Sequence, residues 1–447
     1  MSVRHPSRRR GVIALVLLAL VVASMGVIIA KSRGGQPLAD PSATPSTTLP
    51  PHPTLLVQLR DDGLTNVNNV VMGLDPAAGR GADQYLPQDL VVDLVKGRDE
   101  TLGFTGYKPI AQAAPLVSAQ TGELVDNTFV MDRLAFAALV DAVGGVKVTV
   151  DAPVVVQDRY GYILDVIPIG ERTLDGPQAA LYALYLPPSA PESQRVARFR
   201  QVWQALLTEL PAQPEQTRVI VGNLGALARS TQPLASLAQF LTTAGAIFRS
   251  HQWVTGDLPV TPGELGPLPL SWIDPEAARV QSVALFPASQ RTPENSALRV
   301  RVHRSGASIT DVEAARGQLQ QAGIDFVWAG PAAVRPTSTV AVASTQLQGA
   351  GVRAAQALGL PNSAVAVDPA ATPGAPVTAY LAARSQTSPN STASTSPSAS
   401  ASASAALPTS PAATAPAEEP AVPGVEPTTP AEPTAAGGGE PVTSSGQ

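Results

Sequence analysis

The feature that most constrains the fold is an uncharged apolar run near the N-terminus, residues 12–30, which contains 19 residues. A helix of that length, rising about 1.5 Å per residue, covers roughly the 30 Å hydrocarbon core of a bilayer. The segment before the run is rich in arginine, at Arg4, Arg8, Arg9 and Arg10. Because positively charged flanks stay in the cytoplasm, the sequence predicts a cytoplasmic stub at 1–11, a transmembrane helix at 12–30 and an extracytoplasmic bulk.

A cleavable signal peptide is the alternative interpretation of this run. The apolar stretch is longer than the usual h-region of 7–15 residues, and the following KSRGG contains no small-residue cleavage site. We therefore expect a retained anchor and a cell-membrane, single-pass location with the N-terminus in the cytoplasm.

Two other segments have compositions that do not support a packed core. Residues 31–53 are rich in Pro, Ser and Thr and are predicted to form a stalk. Residues 385–447 contain almost only Ala, Ser, Thr, Pro, Gly and Glu, without an aromatic residue, Lys or Arg. Such a segment buries too little apolar surface to offset chain entropy, so a disordered tail is predicted.

Charge and cysteine content exclude several classes of function. The chain has a net charge of −5 and no Lys/Arg-rich stripe, which argues against a nucleic-acid partner. It has no Cys, so a disulfide framework, a thiolate zinc site and a cysteine nucleophile are excluded. The histidines are too scattered to indicate a metal cluster, at His5, His52, His251 and His303.

The middle of the chain has the pattern of an α/β protein. Short apolar, β-branched runs bounded by Gly, Asp and Pro predict strands, and longer amphipathic stretches predict helices. We predict one domain over 54–290 with strands at 54–59, 70–74, 146–150, 218–222 and 280–286. Its predicted helices cover 131–144, 174–185, 193–210 and parts of 225–248.

A second, smaller α/β domain is predicted over 297–384. Its strands are expected at 298–303, 325–329, 339–343, 364–367 and 377–381, with helices at 310–322 and 351–358. The alternation of strands with helices favours parallel strands covered by helices.

Three motifs give the chain a resemblance to a known family. Residues 129–148 read FVMDRLAFAALVDAVGGVKV, residues 174–186 read LDGPQAALYALYL, and residues 194–199 read QRVARF. This set resembles the LytR-CpsA-Psr (LCP) family of envelope proteins, and 298–381 is similar to the LytR-type C-terminal domain that often follows in actinobacterial members.

The resemblance implies an α/β/α domain with a central mixed sheet and a hydrophobic tunnel for a polyprenyl tail. It also implies a phosphotransferase that moves a glycopolymer from a polyprenyl-pyrophosphate carrier to peptidoglycan, using arginines and Mg²⁺. Positive charge is needed there because the pyrophosphate must be neutralised before a hydroxyl can attack.

The polar residues of the family are largely replaced in this chain. The family's second acidic residue matches Asn68, and its arginines match Asn66, Gln88, Leu184 and Leu186. Asp61 stands at the first acidic position and is a weak metal candidate. The remaining phosphate-binding candidates are Asp89, Arg195 and Arg198. Losing charge-assisted bonds of about 1.5–3 kcal/mol from each missing arginine weakens pyrophosphate binding by several powers of ten.

Three functions are compatible with this pattern. The first is a non-catalytic LCP relative, a pseudoenzyme of cell-wall biogenesis, that binds a polyprenyl lipid or a cell-wall glycopolymer, with other envelope proteins as further candidate partners. The second is an active transferase with a rearranged site and Mg²⁺ as cofactor, in which Arg60 and Arg80 replace the missing arginines. The third is a structural tether, which requires no ligand. The substitutions favour the first.

The surviving residues also have purely structural interpretations. Arg195 and Arg198 lie three apart on a predicted helix and could pair with Glu192 or be solvated. Asp61 begins an Asp-Asp-Gly turn signature, and Asp89 could cap a strand end.

Overall fold

The computed structural model describes residues 50–157, 163–187, 190–265, 268–292, 296–369 and 376–383, together with the two-residue strand β1. The predicted cytoplasmic stub, transmembrane helix and tail, and nearly all of the stalk, lie outside these ranges. Within them, no helix has both the length and the apolar content that a membrane crossing requires.

The first part of the chain is built on a mixed sheet of seven strands in the order β1-β12-β7-β2-β3-β4-β13. Strand β2 runs parallel to β7 and antiparallel to β3, and β13 runs parallel to β4. The strands are β1 Gln36–Pro37, β2 Thr54–Arg60, β3 Asn66–Asp75, β4 Arg80–Leu86, β7 Asn127–Met131, β12 Ala228–Ser230 and β13 Trp253–Asp257.

Four further antiparallel strand pairs form separate two-stranded sheets. They are β5 Val91–Val95 with β6 Arg98–Thr101, β8 Val146–Val150 with β11 Gly170–Leu174, β9 Val154–Gln157 with β10 Ile163–Ile167, and β14 Val260–Leu265 with β15 Leu268–Ile273.

Helices cover both faces of the seven-stranded sheet. The helices are α1 Ala113–Thr121, α2 Arg133–Ala142, α3 Gly176–Leu184, α4 Glu192–Glu209, α5 Pro214–Gly222, α6 Leu234–Arg249 and α7 Pro275–Leu285. Helices α2 to α6 share one core with the sheet, and α1 and α7 share the core on the other face. The predicted α/β/α architecture with a central mixed sheet is confirmed.

An aromatic cluster fills the space between the sheet and the helices. The ring of Phe199 on α4 lies 6.1 Å from Tyr85 and 6.2 Å from Phe136, centroid to centroid, and stacks on Trp203 at 6.1 Å. All four side chains are fully buried. The hydrophobic tunnel implied by the resemblance stays a prediction.

Local signals in the sequence explain where α2 and α3 begin and end. The Asp132 side chain accepts a hydrogen bond from the Ala135 amide at 2.8 Å, and Asp175 does the same for Gln178 at 3.0 Å. Helix α2 is followed by Gly144 and Gly145, whose positive φ angles of 89° and 92° stop the helix as predicted.

Two predicted strands are wrong. Residues 218–222 belong to helix α5, and residues 280–285 to helix α7. Short β-branched runs do not distinguish a strand from a buried helix, and in both cases a start signal lay upstream. Helix α7 follows Asp274, whose side chain caps the Ala277 amide at 3.0 Å, and has Pro275 in its first turn.

The C-terminal part has its own sheet of five strands in the order β17-β16-β20-β18-β19. Its elements are β16 Arg299–Arg304, α8 Ile309–Gln321, β17 Asp325–Pro331, β18 Thr339–Val342, α9 Gln348–Ala357, β19 Val365–Val367 and β20 Val377–Leu381. All of the predicted elements are present. The expectation of parallel strands is only partly correct, because β18 runs antiparallel to β20.

Short 3₁₀ helices connect several of these elements. They are Gly103–Tyr107, Ile110–Gln112, Gly225–Leu227, Thr345–Leu347 and Asn362–Ala364.

Buried polar contacts join the C-terminal sheet to the first part of the chain. Trp328 donates from Nε1 to Asp99 at 2.6 Å, and Gln120 donates to the Trp328 carbonyl at 2.9 Å. Arg316 on α8 pairs with Asp93 on β5 at 2.7 Å. The predicted boundaries at 54–290 and 297–384 stay a prediction, since both parts contribute to one hydrophobic cluster.

Candidate functional site

The candidate site lies where β3 begins, β4 has just ended and helices α3 and α4 meet. The Asn68 amide on β3 donates to the Ala183 carbonyl in the last turn of α3 at 3.0 Å. Leu86, the last residue of β4, pairs with Asn69, so Gln88 and Asp89 follow directly beyond this point. We call Asn68, Gln88, Asp89, Glu192, Arg195 and Arg198 the α3–α4 cluster.

The beginning of α4 brings its charged residues against the loop after β4. Arg195 forms an ion pair with Glu192 one turn earlier. Burial raises the pKa of Glu192, the neighbouring Arg195 and the Gln88 backbone lower it, and Asp89 raises it further. These influences show that the four residues are neighbours.

Both candidate arginines are buried in the described structure. Arg195 is 6% exposed and Arg198 is 2% exposed, so the interpretation as solvated surface charges is wrong. The predicted pairing with Glu192 is confirmed for Arg195. Each guanidinium therefore needs compensation from inside the protein.

Arg198 is held mainly by backbone and aromatic contacts. It donates to the Tyr185 carbonyl at 3.3 Å, and its Nε lies 3.9 Å from the exposed carboxylate of Asp151. Its guanidinium lies 5.4 Å from the ring centroids of both Tyr182 and Tyr185. Contact with the negative faces of aromatic rings offsets part of the lost hydration.

Several buried polar atoms of the cluster have no hydrogen-bond partner in the part of the chain that the structure describes. They are Asn68 Oδ1, Gln88 Oε1, Asp89 Oδ1, Arg195 Nε and Arg198 Nε. Unsatisfied buried polar atoms are rare, and a concentration of them is typical of a place where a ligand or water binds. The cluster is therefore a concentration of buried polar atoms at the junction of β3, β4, α3 and α4.

Leu184 and Leu186, where the sequence resemblance predicts arginines, line an apolar surface groove. The groove is a cavity of about 510 Å³ lined by Arg133, Val155, Val156, Leu181, Leu184, Tyr185 and Leu186. The Tyr185 hydroxyl donates to the Val155 carbonyl at 3.3 Å and so joins the exit of α3 to β9. We call this cavity the apolar groove.

Asn66 is not part of the α3–α4 cluster. A β-bulge between Leu59 and Arg60 shifts the register of β2 against β3, and the Asn66 amide donates to Thr105 Oγ1 at 2.9 Å on the opposite face of the sheet. A bulge adds one residue to one strand, which reverses the face to which the following side chains point. The structure therefore separates two residues that the sequence placed together.

Asp61 closes a turn, as its Asp-Asp-Gly signature indicates. Its Oδ1 accepts a hydrogen bond from the Thr65 amide at 2.8 Å, and its own amide donates to the Thr65 carbonyl at 3.0 Å. Within the described ranges no group of three His, Cys, Asp or Glu side chains is arranged to hold a metal ion. The role of Asp61 as a metal ligand stays a prediction.

The two arginines expected to compensate lie elsewhere. Arg60 donates to Asn66 Oδ1 at 3.2 Å and lines a different cavity with Lys108 and Arg229. Arg80 is the first residue of β4, at the opposite end of that strand from Leu86. Neither guanidinium therefore belongs to the α3–α4 cluster.

Sequence reasoning missed the aromatic side of this site. Tyr182 and Tyr185 flank Arg198, and Asp151 approaches it from the loop after β8. The spacing of the two tyrosines, three apart on a predicted helix, was a usable signal because such residues share one helix face. No local sequence pattern predicts the contact between Asp151 and Arg198, because Asp151 lies 47 positions earlier in the chain.

Part of the chain matches the model of a known protein family. Residues 110–251 match the model of the LytR_cpsA_psr family. None of the curated proteins matches the chain significantly. The family match covers α1 to α6 and therefore both helices of the candidate site.

Solved structures similar to the chain include B. subtilis TagV, at 17% identity and a TM-score of 0.46, with 54% of this chain and 99% of that chain covered. An Enterococcus faecalis protein described as a transcriptional regulator matches at 15% identity and a TM-score of 0.45, covering 55% and 91%. TagT bound to LIIa-WTA matches at 16% identity and a TM-score of 0.43, covering 57% and 96%.

Proposed function

We propose that the chain is a membrane-anchored, extracytoplasmic protein of cell-wall glycopolymer assembly that binds a polyprenyl lipid or a glycopolymer without transferring it. The family match over residues 110–251 supports the general role. The N-terminal apolar run supports the anchor and the extracytoplasmic location.

One observation carries the non-catalytic part of the proposal, namely the charge balance of the α3–α4 cluster. The charge of Arg195 is already offset by Glu192. Asn68 and Gln88 are neutral, and the Asn68 amide is engaged by the Ala183 carbonyl. Arg198 is then the main source of positive charge for a pyrophosphate. A transferase must stabilise charge on the attacking and leaving oxygens together, and one arginine is insufficient for this.

The apolar groove supports binding of a lipid chain. Leu184 and Leu186 replace guanidinium groups by surface that favours hydrocarbon, and Val155, Val156 and Leu181 continue that surface. Burying apolar area contributes roughly 25 cal/mol per Å². A polyprenyl chain in this groove would lie beside Arg198, which could hold a single phosphate.

An active transferase with a rearranged site is the second candidate, and the orphaned polar atoms favour it. Asp89 Oδ1, Asn68 Oδ1 and Gln88 Oε1 are buried oxygens without a partner among the described residues, and Mg²⁺ prefers oxygen ligands. These three residues would hold the ion, which would supply positive charge for the pyrophosphate. The chain itself would contribute Arg198 as the phosphate-binding group.

The test is native mass spectrometry of the full chain in detergent after incubation with polyprenyl monophosphate and pyrophosphate, with a parallel hydrolysis assay with and without Mg²⁺. We expect bound lipid and no turnover. Leu186→Glu should reduce lipid occupancy at least tenfold, since it places a carboxylate in the groove. Val334→Glu, at a position that is 80% exposed, is the matched control and should bind normally.

Each other outcome selects a different function. Magnesium-dependent turnover would establish the rearranged transferase. If neither bound lipid nor hydrolysis is detected, the structural tether is the remaining hypothesis.

A further inference from the structure

One face of the five-stranded C-terminal sheet is apolar, and the other carries polar side chains on its strands β16 and β20, next to the apolar Val327 and Ala341. Along β16, Val300 and Val302 belong to the hydrophobic cluster shared with α8 and α9. Successive residues of a strand point to opposite faces, so Arg299, Arg301 and His303 lie on the other face. Arg299 donates to the Ala119 carbonyl of α1 at 2.8 Å, and Arg301 and His303 are the other two basic side chains of this strand face.

The neighbouring strand β20 extends this polar face. Thr378 is the cross-strand partner of Arg301, and Tyr380 is the partner of His303. Arg335, from the loop before β18, lies over the Tyr380 ring at 3.6 Å. We call Arg301, His303, Arg335, Thr378 and Tyr380 the C-terminal cluster.

The burial and charge of Arg301 are the central features of the C-terminal cluster. It is only 7% exposed, and among the residues that the structure describes the group that favours its charge is Tyr380 rather than a carboxylate. Burial lowers its pKa to about 10, so the guanidinium is still charged at neutral pH. Burying an unpaired charge is costly, and such a group persists where a counter-ion is recruited from outside.

Further polar atoms around Arg301 also lack partners in the described residues. The buried atoms Thr378 Oγ1, Ser305 Oγ and His303 Nδ1 form no hydrogen bond. Burial and the nearby Arg301 lower the pKa of His303 to about 4, so the imidazole is neutral at pH 7. A neutral imidazole and two hydroxyls can each exchange a hydrogen bond with an oxygen-rich ligand.

The rim of the cluster is held in place by aromatic and cation–π contacts. His303 stacks on Tyr380 at 5.1 Å with an interplanar angle of 9°. Arg335 donates to Thr339 Oγ1 at 3.1 Å, which fixes its guanidinium over the ring. His303, Arg335 and Tyr380 are half-buried, whereas Arg301 is buried, so the cluster has a partly exposed rim above a buried cation.

The electrostatic balance of the cluster is positive. Burial raises the pKa of Tyr380, and among the charged groups near it Arg335 and Arg301 lower that pKa while Asp368 raises it. Asp368 is the carboxylate that acts on this ring, and two arginines face it. A positive site with hydroxyl donors suits a tetrahedral oxyanion.

We propose that the C-terminal cluster binds a phosphate group, with Arg301 as its principal charged contact and Thr378, His303 and Tyr380 as hydrogen-bonding partners. The phosphate could come from a soluble sugar phosphate or from a lipid headgroup, which share this chemistry. The site is independent of the α3–α4 cluster and does not rest on the function proposed for that cluster.

The test is isothermal titration of the full chain in detergent with inorganic phosphate and with glucose 1-phosphate, together with sedimentation of the chain on vesicles containing phosphatidic acid. We expect saturable binding with a dissociation constant below about 1 mM. Arg301→Met should weaken binding about 10- to 100-fold, the effect of one charge-assisted contact. Arg353→Met, which removes an exposed arginine of α9 in the same part of the chain, is the matched control and should bind as the unchanged protein does.

A second variant distinguishes a loss of phosphate binding from a loss of folding. Arg301→Lys keeps the charge and loses the bidentate fork, so it should fold and bind phosphate several-fold more weakly than the unchanged protein. Binding to vesicles alone would assign the site to lipid headgroups, and binding to both soluble ligands would assign it to free phosphate esters. Absence of saturable binding to all three, or equal losses in Arg301→Met and Arg353→Met, would overturn the proposal.

Discussion

In the α3–α4 cluster the positive charge of Arg195 is offset by a carboxylate of the same helix, whereas in the C-terminal cluster Arg301 has no such neighbour among the described residues. Both guanidinium groups are more than nine-tenths buried. Burial is therefore not what distinguishes them. The difference lies in whether the protein supplies its own counter-ion, and it predicts opposite responses to mutation.

The comparison also shows that burial alone does not reveal how a charge is compensated. In the α3–α4 cluster Arg195 pairs with Glu192 one turn earlier on α4. In the C-terminal cluster no carboxylate among the described residues forms an ion pair with Arg301. Counting arginines in the two regions would not reveal this, because each has two of them.

The largest effect should follow from removing the counter-ion of Arg195. Glu192→Gln leaves a guanidinium that cannot discharge in a buried position, so we expect the free energy of unfolding to fall by about 3 kcal/mol. Urea denaturation followed by circular dichroism measures this. Glu276→Gln, which breaks an exposed pair with Arg279 on α7, is the control and should leave the unfolding curve unchanged. Equal curves for the two variants would remove the distinction between the clusters.

The next effect concerns Glu123, which lies near Arg299 of the C-terminal sheet. It is fully buried, and burial raises its pKa from 4.5 to about 7, although Arg299 of β16 opposes this. The folded chain then binds more protons than the unfolded chain between about pH 4.5 and 7, so stability is lost as the pH rises through that window. The total is on the order of 3 kcal/mol if no other group compensates.

Glu123→Gln tests this, because an amide does not titrate. Its melting temperature should be less sensitive to pH between 5 and 8 than that of the unchanged chain. Parallel pH profiles for the two proteins would show that Glu123 is not protonated when folded.

The smallest effect on stability should come from Arg301→Met. The substitution removes a buried charge that has no carboxylate partner among the described residues and fills a similar volume with apolar atoms, so the free energy of unfolding should stay constant or rise by about 1 kcal/mol. Thermal and urea unfolding without added phosphate measure it. A loss as large as that of Glu192→Gln would show that Arg301 has a protein counter-ion after all, which would break the comparison.

Much of the fold could be predicted because its signals are local. Helix α2 was placed by its apolar face and the glycines after it, and every element of the C-terminal part followed from runs of a few residues. The errors at 218–222 and 280–285 arose where a β-branched run overlapped a helix whose start signal lay upstream, at Pro214 and at Asp274. Periodicity in a short window is ambiguous between the two states.

The candidate site was less predictable, because its members are distant in sequence. Asn68 and Ala183 are 115 positions apart and meet in one hydrogen bond. The bulge at Arg60 moves Asn66 to the other face, and no pattern in residues 54–75 required that bulge. Family motifs indicated which positions matter without indicating which of them still lie together.

The sequence alone determined the α/β class and most element positions, since these depend on composition and on contacts between near neighbours. Only the tertiary structure decided which charges are compensated. Whether an arginine has a partner depends on strand register, helix packing and burial, which arise from contacts between residues far apart in the chain. Arg195 and Arg301 cannot be told apart by residue type. In the folded chain Arg195 has a carboxylate partner, and Arg301 has none among the residues described.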